Sequence, residues 1–266
     1  MKRLLLLLGV LFSFAGTAAA TPDTTGTSKL TAAQIVSENA AARGGLKAWH
    51  AVQTLTMSGR VEAGGKKNEA LPFVMKMKRP HMSRLEVTFR DQTALQVFDG
   101  AQGWKVRPFL GRNDVEPYTS GEERSASGWQ ELDGPLIDYA RKGSKVKLIG
   151  MQAVEGHKAY KLKLTLKNGE ERHVWVDAKT FLERKIDGDP RKMDGKLRNV
   201  AVYYRDYKNE KGLTMPHVFE TVVDGDKQTH KLYIERVVVN QPMDKALFTK
   251  PQIAAPEVVM VKVSGK

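Results

Sequence analysis

Six histidines (His50, His81, His157, His173, His217 and His230) are scattered along this chain, and no cysteine accompanies them. A transition-metal site takes three or four His, Cys, Asp or Glu ligands. His173 and Asp177 would share one face of a strand, but no third ligand lies at a matching spacing, so no metal is expected. Ser144-Lys145-Val146-Lys147 fits S-x-x-K, yet it opens a strand instead of the helical turn that Ser–Lys chemistry uses. The acid pair Glu170-Glu171 sits beside a hairpin turn, where solvation explains it. Glycine-rich phosphate loops, H-E-x-x-H and G-x-S-x-G are absent from the sequence. The residue types for catalysis are present but their spacing is not, so no catalytic residue and no cofactor is expected.

The pattern above background belongs to methionine. Met57, Met75 and Met77 fall on the apolar sides of successive strands, beside Leu55, Phe73, Leu85, Val87 and Phe89. Methionine is flexible and polarizable, and is used where a surface adapts to varied apolar partners. These side chains either fill an ordinary core or line a trough for an apolar ligand. Trp104 extends the candidate lining, and Trp129, Leu136 and Tyr139 are its candidate cover.

Period-2 alternation supplies the strands that would position them. Leu55 to Val61, Phe73 to Met77, Leu85 to Phe89, and Ala94 to Phe98 followed by Trp104 to Val106 form a first group. Residues 145–187 read as four consecutive antiparallel strands, with Tyr160, Leu162, Leu164 and Leu166 alternating with polar residues and Asn168-Gly169 as a tight turn. Three more strands follow around Val200–Tyr204, His217–Val223 and Leu232–Val239, after a polar loop at Gly188 to Lys196. Between the groups, Gly111 to Ser127 lacks periodicity and reads as loop. Trp129, Leu132, Leu136 and Tyr139 recur at three and four, which predicts one or two short helices. An N-terminal helix starts at the capping box Thr31-Ala-Ala-Gln34 and stops or bends at Gly44-Gly45.

Lys2-Arg3, the apolar run Leu4 to Phe14, and Ala18-Ala19-Ala20 form an export signal over residues 1–20, cleaved near Ala20. The expected organisation is a flexible stretch over 21–30, one domain over 31–250, and a tail over 251–266 that adds an edge strand or hangs free. The formal charge is +13, with Lys2 and Arg3 contributing two of those charges. That surface suits anionic partners, or simply confers solubility.

The order of elements resembles the bacterial lipoprotein carriers of the LolA/LolB-like family. Val97-Phe98-Asp99-Gly100 through Trp104 is similar to the family's D-G-x-x-x-W strand–turn–strand. Trp175, Val176, Asp177, Thr180, Leu182 and Arg184 are similar to its W-V-D-x-x-T-x-L-x-R hairpin. The resemblance covers roughly residues 31 to 250. It implies a mainly β (α+β) fold, a curved, half-open antiparallel barrel of about eleven strands, with an N-terminal helix and a short helical lid over an apolar cavity. It implies no enzyme, but a periplasmic carrier of lipid or lipoprotein acyl chains, with an inner-membrane donor, an outer-membrane acceptor and peripheral contact with anionic membrane. Nucleic acid is not among the expected partners. The family's lid-latching arginine has candidates in Arg60 and Arg84, and no lipobox cysteine is present. A sensor or adaptor of the same fold, binding a protein partner or an anionic glycolipid, is the alternative.

Overall fold

Helix α1, Ala32–Ala42, grows from the predicted capping box. Thr31 Oγ1 accepts from the Gln34 N–H at 3.2 Å, and Gln34 Oε1 accepts from the Thr31 N–H at 2.8 Å, so two orphan donors are satisfied reciprocally. The structure, a computed structural model, describes residues 30–62, 69–129, 131–193 and 195–252. The expected signal peptide, the stretch up to residue 29 and the tail from residue 253 lie outside them, as do the side chains at 124, 125, 127–129 and 191–193. No described helix is long and apolar enough to cross a membrane.

Gly44 and Gly45, at φ 105° and 89°, end α1, and α2 (Leu46–Ala51) follows at a new angle. Positive φ is inexpensive only for glycine. Gly44 has a second reason: a Cβ there would stand 2.1 Å from the Gly212 carbonyl oxygen.

Thirteen strands follow among the described residues. The first six are β1 (Thr54–Glu62), β2 (Ala70–Lys78), β3 (Met82–Phe89), β4 (Gln92–Phe98), β5 (Gly103–Arg107) and β6 (Arg112–Pro117). The next four are β7 (Lys145–Val154), β8 (His157–Thr165), β9 (Glu171–Asp177) and β10 (Glu183–Met193). The last three are β11 (Lys196–Glu210), β12 (Leu213–Val223) and β13 (His230–Val239). They make one sheet in the order β6-β5-β4-β3-β2-β1-β13-β12-β11-β10-β9-β8-β7. Two meanders are thus joined by a single non-sequential pair, β1 with β13, and the edges β6 and β7 stay apart. The architecture is the expected half-open antiparallel one, with thirteen strands where about eleven were expected.

One added strand, β6, comes from a stretch read as loop, and a second such stretch lengthens β10 and β11. Arg112–Pro117 is a strand without apolar alternation because it is an edge, held by pairing to β5 and by Glu116, which accepts from Arg107 at 2.6 Å and Arg112 at 3.1 Å. Those guanidiniums, led by Arg107, hold the Glu116 carboxyl below its usual range. Most of Gly188 to Lys196 is also strand, since β10 runs to Met193 and β11 begins at Lys196.

Register fixes which side chains share a face. Met57 pairs with Met75, Met75 with Leu85, Leu85 with Gln96, and Gln96 with Lys105. The inner face therefore carries Leu55, Met57, Phe73, Met75, Met77, Leu85 and Val87. On the far meander it continues through Leu162, Val174, Ile186 and Val202. Register shifts at Ser58/Gly59 and Leu148/Gly150 mark bulges, which bend strands and add twist. The segment after β13 crosses the outer face, where Lys78 and Arg84 donate to the Met243 and Leu247 carbonyls.

The insertion differs from its sequence reading. Helix α3 spans Ser120–Trp129, starting inside the supposed loop. Residues 132–143 are a chain of turns, because positive φ at Gly134, Asp138 and Gly143 (75°, 53° and 79°) interrupts any continuous helix. Leu132, Leu136 and Ile137 are buried nonetheless. Three-and-four spacing picked out Leu132 and Leu136, which are buried, but not Ile137 or the backbone that carries them.

Candidate functional site

Inside the curve of the sheet lies a cavity of about 210 Å³. Leu55 and Met57 of β1, Met75 and Met77 of β2, and Met215 and Phe219 of β12 make its apolar wall. Leu132, Gly134 and Pro135 close it from the insertion. The polar part of the lining is Arg43, Glu131, Glu183, Tyr204 and Tyr207. Strands β2 and β10 are five neighbours apart in the sheet, about 24 Å if flat. One small cavity touching both requires the sheet to curve around it.

Charged groups fasten the covering segment. Asp133, 1% exposed, accepts from Arg79 Nη2 and Lys142 Nζ, each at 2.6 Å. Arg79 also donates to the Val52 and Trp49 carbonyls at 2.8 and 3.1 Å, which anchors it to the end of α2. Lys142 also pairs with Glu131. Burial pushes the Asp133 carboxyl up, but Lys142 and Arg79 outweigh it and the net shift is downward. At Glu131 burial wins over Lys142, and the carboxyl is raised. The cover is thus held by a nearly buried, doubly paired carboxylate.

Arg43, at the C-cap of α1 and 6% exposed, is the link between helix, cover and sheet. Its Nη1 donates to the Asp133 carbonyl at 2.8 Å and to Glu183 Oε1 at 3.3 Å. Its guanidinium stacks 4.5 Å from the Trp49 ring centre, and Trp49 Nε1 donates to the Arg43 carbonyl at 2.9 Å. Tyr207 completes the cluster by donating to the Glu183 carbonyl at 2.9 Å and Oε2 at 3.1 Å. Arg60 and Arg84, the candidates from sequence, are engaged elsewhere. Arg60 pairs with Glu235 and stacks on Tyr233; Arg84 pairs with Glu86.

The structure brings together part of the expected lining. Leu55, Met57, Met75 and Met77 border the cavity. Phe73, Leu85 and Val87 share their face but lie outside it, and Phe89 packs edge-on against Phe109 at 5.6 Å. Trp104 is on the opposite face, since it neighbours Lys105 and pairs with Val97; the turn at residues 99–102 before β5 made its parity illegible. Leu136 and Tyr139 line a separate apolar groove of about 480 Å³ against α1 and Leu46. The Trp129 side chain lies outside the described residues.

Sequence reasoning missed the polar part of the lining. Tyr204 and Tyr207 are three apart and both line the cavity because Asp206, at φ 52°, interrupts the alternation. Helix α3 did carry a signal, the capping box Thr119-Ser-Gly-Glu122, in which Thr119 N–H donates to Glu122 Oε2 at 2.7 Å. His173 bonds Asp187 at 2.8 Å, and Asp177 pairs with Arg184. No cluster of three or more metal-ligating residues occurs among the described residues.

No protein-family model and no curated protein sequence matches the chain. Solved structures do. A LolA superfamily protein from Nitrosomonas europaea aligns at a TM-score of 0.54 and 15% identity, over 83% of this chain and 98% of that one. An outer membrane lipoprotein-sorting protein domain from Vibrio parahaemolyticus aligns at 0.52 and 13%, over 81% and 95%. Open sheet, crossing helix and covered apolar cavity together give this chain the fold of the LolA superfamily.

Proposed function

We propose that this protein is a periplasmic, non-catalytic carrier or binder of lipidated molecules, holding an acyl chain in the cavity beneath residues 131–143. The observation that carries this reading is the cavity itself: four methionines, Met57, Met75, Met77 and Met215, face a space that side chains leave unfilled. Adaptable thioethers suit a ligand of variable shape. The likeness to a lipoprotein-sorting protein domain supports the reading at the level of fold.

A volume of about 210 Å³ is smaller than the roughly 300–1,000 Å³ of pockets that enclose a drug-sized ligand. The cavity therefore takes the end of a chain in this state, and deeper loading requires the Asp133-anchored cover to lift. Burial contributes about 0.8 kcal/mol per CH₂, so release to an acceptor also requires that opening. A membrane donor and acceptor follow from this logic.

Mass spectrometry of lipid extracted from the purified mature protein tests the proposal. Co-purifying acyl species at near-stoichiometric yield are the expected result. An empty protein that also fails to bind a fluorescent fatty acid would leave a packed core and remove the carrier reading. The adaptor alternative would then gain, supported by the groove beside α1, where Leu46 is 44% exposed.

A further inference from the structure

Glu131 borders a second pocket besides the apolar cavity, an open and polar one of about 640 Å³. Three distant parts of the chain line it. His81 comes from the β2–β3 turn, Arg141, Lys142 and Ser144 from the end of the covering segment, and Lys167 and Asn168 from the β8–β9 turn. The charges here do not cancel. Arg79 and Lys142 are matched by Asp133 and Glu131, two cations with two carboxylates, so that set leaves no net negative charge on the wall. Lys167 pairs with no carboxylate among the described residues. Arg141 reaches Asp138 only at 3.8 Å, with its side chain 76% exposed. An exposed pair of that length is weak and leaves the guanidinium available.

The remaining lining groups donate. Asn168 Oδ1 is taken by the Glu170 N–H at 3.0 Å, so the amide has its NH₂ left to offer. Ser144, 9% exposed, adds a hydroxyl; the S-x-x-K match that fails as catalysis places a donor on this wall. Gly143 holds the Lys167 stem: at φ 79° it has no Cβ, and one added there would stand 3.2 Å from Lys167 Cγ. A wall with two uncancelled cations and several donors fits an anion rich in acceptor oxygens. Phosphate carries about −1.5 to −2 charge at pH 7 and three such oxygens, more than a carboxylate provides. The volume falls within the roughly 300–1,000 Å³ of ligand pockets, enough for a phosphate with a small polar substituent such as glycerol or a sugar. We propose that this pocket binds the phosphate group of a phosphate ester, with Lys167 and Arg141 supplying the charge and Ser144 and Asn168 the neutral donors. A lipid headgroup and a soluble ester share that chemistry. The site does not depend on acyl binding in the cavity.

The test titrates the mature chain with glycerol 3-phosphate and with glycerate by calorimetry at pH 7.5. The wild type should bind the phosphate at least about tenfold more tightly than the carboxylate. Lys167→Ala should weaken glycerol 3-phosphate about tenfold, Lys167→Arg less than about threefold, and Arg141→Ala about fivefold. Lys179→Ala removes the same charge from an exposed position outside the pocket and should change binding less than about twofold. Circular dichroism melts identify any variant that does not fold, and Lys167→Ala and Arg141→Ala each decide the question alone. Vesicles of phosphatidylcholine with and without phosphatidic acid then separate the two sources. Phosphatidic acid binding that falls with Lys167→Ala assigns the site to a headgroup, and vesicle binding that ignores Lys167→Ala assigns it to a soluble ester. No binding of glycerol 3-phosphate, equal affinity for glycerate, or equal losses in Lys167→Ala and Lys179→Ala would overturn the phosphate site. The carrier reading would stand in each of those cases, because its own test reads lipid in the cavity.

Discussion

Met77 shows how a side chain can belong to a core and a cavity at once. It is 6% exposed, pairs across from Leu55, packs in the cluster that contains Trp49, and borders the cavity. Truncating a packed methionine or leucine costs about 2–5 kcal/mol, the larger values where a new void opens. Since part of the Met77 surface already faces open space, Met77→Ala should cost about 2 kcal/mol in urea denaturation. Leu162, fully buried on β8 away from the cavity, should cost about 3–4 kcal/mol as Leu162→Ala. Only the first change should alter fatty-acyl probe binding. Asp177 makes a different residue-scale prediction. Burial would raise its pKa, but Arg184 and the Thr180 and Lys179 N–H groups outweigh that and lower it from 3.8 to about 2. A depressed folded-state value means stability that is fully present above the unfolded pKa and lost as pH falls through the folded one. Melting temperatures of the wild type and Asp177→Asn should differ above pH 3.8 and converge as pH approaches about 2. A gap that persists unchanged at the acid end would show that the Asp177 charge is not its source.

At the scale of elements, the join between α1 and the sheet governs the position of Arg43. Gly44 packs against the Gly212 carbonyl, and the Thr214 N–H donates to the Arg43 carbonyl at 3.0 Å. Gly44→Ala combines positive φ with a backbone collision and should cost at least about 2 kcal/mol. Gly45→Ala has positive φ but nothing within 4 Å of its added Cβ, so about 1 kcal/mol is expected. Chemical denaturation of the two variants checks the order; equal costs would mean that α1 shifts freely against the β11–β12 turn. The cover is the second decisive element. Asp133→Asn removes the charge that Arg79 and Lys142 share and should cost about 2 kcal/mol. It should also speed probe entry in stopped-flow measurements, because the segment over the cavity is then held less tightly.

The whole molecule presents its excess charge on a surface where many cations are already engaged. Lys163, Arg184 and Arg205 pair with carboxylates on the outer face, while Lys161 and Lys185 stack over Trp175 at 5.1 and 4.3 Å. Stacked ammoniums keep their charge and cover an apolar ring, which combines solubility with packing. If the net positive charge serves membrane contact, binding to anionic phospholipid vesicles should weaken steeply between low and physiological salt, because exposed attractions are screened over about 8–10 Å. Indifference to vesicle charge would assign these lysines to solubility alone.

The sequence by itself determined the capping box of α1, the antiparallel strands of the central meander, and the inward parity of Leu55, Met57, Met75 and Met77. All of these rest on local chemistry: side-chain period, turn residues and caps act within a few positions. Edge strand β6 was illegible because an edge needs no apolar face, and the turns of 132–143 because apolar spacing does not report the sign of φ at Gly134 and Asp138. Only the tertiary structure decided that Trp104 faces away, that thirteen strands curve without closing, and that Arg43, Asp133, Glu183 and Tyr207 meet. Those four residues span three regions of the chain, and their charges balance only when the sheet bends. Distance in space, which no local pattern encodes, sets whether a buried arginine is free to take an anion or already holds one.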